Sequence, residues 1–162
     1  MKRYTSIDMF DPKKLQNWFV VANRIEATIY SEEKDHQFHF INRLLNPNGS
    51  LLESELDSDK PGTGLSSSGA GTIHHSLDHH FHKHEQTAIR FAIRIGKFLS
   101  VAAKKNLFKE ITIVAEPHFL GLLREHLPAN VLQKKVRSLD REYAQGSMQE
   151  IRKQILDALS FH

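Results

Sequence analysis

Apolar and polar residues follow a two-residue period in the N-terminal third of the chain. Trp18 to Ala22 is a continuous apolar run, and after Asn23-Arg24 the apolar Ile25, Ala27 and Ile29 alternate with Glu26, Thr28 and Tyr30. Such alternation buries one face of an extended segment, so the two stretches predict paired strands with a turn at Asn23-Arg24. In "QFHFINRLL" Phe38 and Phe40 share one face and His39 and Ile41 the other, and Asn46-Pro47-Asn48-Gly49 closes the stretch with turn chemistry. An antiparallel meander of three strands is expected.

Further along, the period changes to that of a helix. Between about His79 and Lys105, the residues Ala88, Phe91, Ala92, Ile95, Phe98, Leu99 and Ala102 fall on one stripe, which predicts the longest helix of the chain. "EITIVAE" reads as a buried strand, and Pro117 stands where a first-turn proline opens the helix "PHFLGLLREHL". "KKVRSLDREYA" supplies a short strand, and Ser147 with Glu150 forms a capping-box pattern before the amphipathic "IRKQILDAL". The order β-β-β-α-β-α-β-α predicts an α/β fold: a mixed five-stranded sheet with helices on its faces, as in ribonuclease H-like folds. The 162 residues are expected to form a single domain, with an N-terminal extension over 1–16 and a long flexible Gly/Ser-rich loop over 46–78.

Composition removes several classes. The absence of cysteine excludes disulfides, thiolate metal sites and cysteine nucleophiles. No run of about 18 apolar residues occurs, and "MKRYTSIDMFDPKK" lacks an apolar core, so a cytoplasmic protein without membrane contact is expected. A net charge of +3 favours anionic partners only mildly, which leaves charge placement to decide.

Enzyme chemistry finds little support along the chain. Two-metal nuclease chemistry needs converging carboxylates. "WFVVAN" has none, and Glu85, Glu116 and Asp140 are the scattered candidates. No G-x-S-x-G elbow follows a strand, and neither a P-loop nor a dinucleotide glycine pattern occurs. A non-catalytic protein without a required cofactor is therefore the expectation.

Two other patterns bear on binding. Six of the eleven histidines lie in "PGTGLSSSGAGTIHHSLDHHFHKHEQ". There His75 with His79, and His80 with His84, have the i, i+4 spacing that lets two imidazoles share a divalent metal, with His82 or Asp78 to complete a site, as in a metal-dependent hydrolase or a metal-responsive protein. The bland alternative is a solvated, His-rich loop and helix start; a third is a segment that gains charge together below about pH 6.5. On the long helix, Lys83, Arg90, Arg94, Lys97 and Lys104 recur at helical spacing away from the apolar stripe. This basic face suits phosphates, as in RNA, or serves only as a solvated outer surface.

The segments "WFVVAN", "NPNGSLLESELDSDKPG", "SSGAGT", "IRFAIRIGKFL", "VAEPHFLGLLREHL" and "SLDREY", in that order, resemble the bacterial host attachment family over nearly the whole chain. That family is similar to the central domain of archaeal and eukaryotic class-1 peptide-chain release factors, which carries a Gly-Gly-Gln loop before its long helix. Here Gly69-Ala70-Gly71-Thr72 stands in that place. The resemblance implies a Gly-rich finger, with Lys60, Gly69, Gly71 and Thr72 as binding residues beside Lys83, Arg90, Arg94 and Lys97, and RNA or a ribosome-associated partner as its target. The missing glutamine implies no peptidyl-tRNA hydrolysis. Relatives commonly carry Asp in place of Asn23, and Pro-Arg around Pro117 in place of Glu116 and His118. The family description implies, as a further alternative, an attachment-related interaction protein.

Overall fold

The computed structural model describes residues 16–32, 37–49, 72–140 and 148–160, with backbone alone for 72–81, 148 and 158–160. Three strands, β1 (Gln16–Ala22), β2 (Glu26–Glu32) and β3 (Phe38–Leu45), precede a 33-residue helix, α1 (Thr72–Lys104). Then follow β4 (Phe108–Ala115), α2 (Pro117–His126), the one-turn α3 (Ala129–Leu132), β5 (Lys135–Asp140) and α4 (Met148–Ser160). The sheet order is β3-β2-β1-β4-β5. β1 runs antiparallel to β2 and parallel to β4, and β4 runs parallel to β5. The expected α/β class, mixed five-stranded sheet and meander are all present.

Alternation along the strands sorts side chains into two cores. Trp18 and Val20 of β1, Ala27 and Ile29 of β2 and Ile111 and Ile113 of β4 meet the α1 stripe and α2 on one face. Phe19, Tyr30, Phe38 and Val114 point the other way and meet Ile151 and Ile155 of α4. Helices thus cover both faces, and β1 and β4, buried on both sides, are apolar nearly throughout. No helix among the described residues is long and apolar enough to cross a membrane; α1 has the length but carries charge along it.

The structure corrects the sequence reading at three places and refines it at a fourth. α1 begins at Thr72, so residues 72–78, expected as the end of the 46–78 loop, are helical; residues 50–71 of that loop lie outside the described residues. Ile73, Leu77 and Phe81, four apart, are the helical signal that the polar His and Ser residues obscure. Gln16 belongs to β1 and not to the N-terminal extension, of which residues 1–15 lie outside the description. The helix α3 was not anticipated, because four residues are too few to show a period. Phe38 and Phe40 do share a face, each ring meeting Tyr30, but a register shift opposite Ile29 and Tyr30 leaves Phe40 exposed and turns Ile41 into the core.

Candidate functional site

The C-terminal ends of the parallel strands β1 and β4 lie side by side, with Ala22 opposite Ala115, so the residues just beyond them share one rim of the sheet. In open α/β sheets this rim, where connections leave in opposite directions, is where ligands are held. Asn23 turns the chain there. Its Oδ1 accepts from the backbone N–H groups of Ile25 and Glu26, both at 2.8 Å, while its own N–H donates to the Glu26 carbonyl. These bonds give Asn23 a turn-forming role that its amide oxygen fills without charge.

From this turn Arg24 reaches across to β4 and α2. Its Nε donates to Glu116 Oε1 at 3.1 Å, and its Nη2 lies 3.5 Å from His118 Nδ1. His118 Nε2 in turn lies 3.5 Å from Glu85 Oε1 on α1. The two ring nitrogens thus face a donor on one side and a carboxylate on the other. A chain of side chains therefore ties the β1–β2 turn to α2 and to α1. All four are partly solvated, so each pair contributes on the order of 1 kcal/mol or less. Glu116 and Glu85 are each engaged by a basic neighbour, and among the described residues no group of three His, Asp or Glu is placed to hold a metal ion.

A second arrangement adjoins the first. After β3, residues 47–49 form a helical turn that folds onto the Arg24–Ile25 backbone: Asn46 N–H donates to the Ile25 carbonyl and Asn46 Nδ2 to the Arg24 carbonyl at 2.8 Å. Gly49 permits this approach, since a Cβ there would stand 2.7 Å from the Arg24 carbonyl oxygen and 3.1 Å from Asn46 Nδ2. Gly49→Ala is expected to cost about 1–3 kcal/mol, because a backbone carbonyl cannot rotate away; urea unfolding checks this, and an unchanged midpoint would contradict it. Between this turn and α1 lies an open recess of about 190 Å³ lined by Asn46, Asn48, Thr87, Arg90, Phe91 and Arg94. Arg94 donates from Nη2 to the Leu45 carbonyl, and its guanidinium carbon lies 5.0 Å from the centre of the Phe91 ring. Thr87 Oγ1 donates to the Lys83 carbonyl at 2.8 Å.

Lys83, Arg90, Arg94 and Lys97 are all exposed on α1, as the periodicity predicts. Arg94 nevertheless differs from the rest: it anchors the end of β3, so it is not a freely solvated phosphate contact. Thr72 opens α1, with its side chain outside the described residues, as are those of His75, His79 and His80. His84 is half-buried, and its Nε2 has no hydrogen-bond partner among the described residues. Lys60, Gly69 and Gly71 lie outside the description. Asn46, Asn48 and Thr87, which complete the recess, and the Arg24–Glu116–His118–Glu85 chain were not anticipated. For the asparagines the sequence signal, Asn-Pro-Asn-Gly, marks only a turn.

Residues 18–155 match the family described as "Protein required for attachment to host cells". The chain belongs to that family. No curated protein matches it. Among solved structures the chain is similar to an archaeal translation termination factor, aRF1, at 11% identity and a TM-score of 0.43, covering 99% of this chain and 43% of that one. This host attachment family member thus spans less than half the length of that factor.

Proposed function

We propose that this protein is a non-catalytic, release-factor-central-domain-like module of ribonuclease H-like topology that binds RNA, alone or within the ribosome, through the basic face of α1 and the Gly-rich segment before it. One observation carries the reading. Lys83, Arg90, Lys97 and Lys104 are exposed along one side of α1, and none has a carboxylate partner among the described residues. By contrast, Arg24, Arg43, Lys135 and Arg137 are each paired with a glutamate. Four cations without such a partner, each about two turns from the next, form a row that phosphates can neutralise with release of counterions.

The clean test spares Arg94, whose reversal would also break its bond to the Leu45 carbonyl. Arg90→Glu with Lys97→Glu should leave thermal unfolding unchanged and weaken binding to a structured RNA by about tenfold or more at low salt. The log–log salt slope should flatten by roughly 0.7–0.9 for each phosphate that the variant no longer neutralises. Equal affinity and slope in the double variant and the wild type would overturn the reading. Family membership favours a second one, an interaction protein in attachment, which would leave RNA unbound by both forms.

A further inference from the structure

The recess beside α1 is built differently from the open basic row next to it. Among the described residues its lining carries two guanidinium groups, from Arg90 and Arg94, and no carboxylate. At about 190 Å³ it is smaller than the ~300–1,000 Å³ of clefts that enclose a whole cofactor. One tetrahedral group with the first atoms of its ester fits such a space better than a complete nucleotide does.

We propose that this recess is a phosphomonoester pocket, which takes a terminal phosphoryl group on a hydroxylated carbon skeleton. The charge balance distinguishes a terminal group from an internal one, since a monoester carries about −1.5 to −2 near neutral pH while a backbone diester carries one charge. Two guanidiniums match the former. Arg94 is already held by the Leu45 carbonyl and the Phe91 ring, so little of its freedom remains to be lost on binding. Arg90, exposed and without a partner among the described residues, can close over the anion and present its planar fork to two phosphate oxygens. The Thr87 O–H donates a hydrogen bond to the Lys83 carbonyl, so its oxygen has lone pairs to offer, and these accept from a hydroxyl on the ester side. Two donors and an acceptor side by side on the α1 wall suit a sugar phosphate, whether free or at the end of an RNA chain. Only that second source rests on the RNA-binding reading.

The test compares three probes on the full chain: an oligoribonucleotide phosphorylated at its 5′ or 3′ end, the same oligomer with hydroxyl ends, and ribose 5-phosphate. A terminally phosphorylated oligomer is expected to bind about tenfold more tightly than the hydroxyl form, with ribose 5-phosphate competing that difference away. Arg90→Ala should abolish the preference. Lys97→Ala, outside the recess, should weaken both oligomers equally and keep their ratio. If ribose 5-phosphate binds through Arg90 while neither oligomer does, the pocket stands and the RNA reading falls. If both oligomers bind alike and ribose 5-phosphate fails to bind, the pocket is overturned and the RNA reading stands.

Discussion

Trp18→Ala is expected to lower the free energy of unfolding by about 3–5 kcal/mol, the range for deleting a large aromatic from a packed core. Trp18 is fully buried on β1, the central strand, between Ser31 of β2 and Ile111 of β4 in register. Its ring packs 5.1 Å from Phe108 and 6.5 Å from Phe98, centre to centre, and so joins the sheet to α1. Alanine would leave a cavity bounded by the sheet on one side and a long helix on the other, neither of which can collapse freely. Chemical denaturation measures the change directly. A decrease under about 1 kcal/mol would mean that this side chain is not the joint between sheet and helix.

The elements that sequence pattern revealed are those marked by a local period or by an unbroken apolar run, as in β1 and β4. The alternation is matched by the burial of Ala27 and Ile29, although Ile25 is exposed and Tyr30 is buried in the second core, and the stripe from Ala88 to Ala102 is buried along α1 apart from a partly covered Phe98. The helix start at Thr72 escaped notice because His and Ser dominate its first turns. The basic face was legible from the same helical period that revealed the stripe. What the period could not give is the partner of each cation. Arg94 finds the Leu45 carbonyl across 49 residues of chain, and Arg24 finds Glu116 across 92. Both pairings depend on strand register and on where a turn settles, neither of which a single helix face encodes. The recess has the same origin: a turn recognised only as a turn becomes a wall once Asn46 bonds to the backbone of Arg24 and Ile25.

Two glycines in helices should respond to alanine with opposite signs, although helix propensity favours the substitution by about 0.5–1 kcal/mol at each. Gly121, in α2, has nothing among the described residues within 4 Å of where a Cβ would stand, so Gly121→Ala is expected to stabilise the protein by about that amount. Gly96, buried in α1, would place a Cβ 2.8 Å from the His126 carbonyl oxygen and 3.1 Å from Pro128 Cδ. A carbonyl at a helix end and a proline ring have no rotamer with which to yield, so the helices must part and overpacking outweighs propensity. Gly96→Ala should destabilise by about 1–3 kcal/mol, and Gly96→Val, with two more methyl groups, by about 3 kcal/mol or more. The displacement would strain the neighbouring Ser100–Asn130 pair, whose two hydrogen bonds of 2.9 Å tie α1 to α3. It would also draw His118 on α2 away from Glu85 on α1, which couples this joint to the rim of the sheet. Urea unfolding of the three variants checks the set. A Gly96→Ala protein as stable as Gly121→Ala would show that α1 and the α2–α3 connection do not pack closely at Gly96.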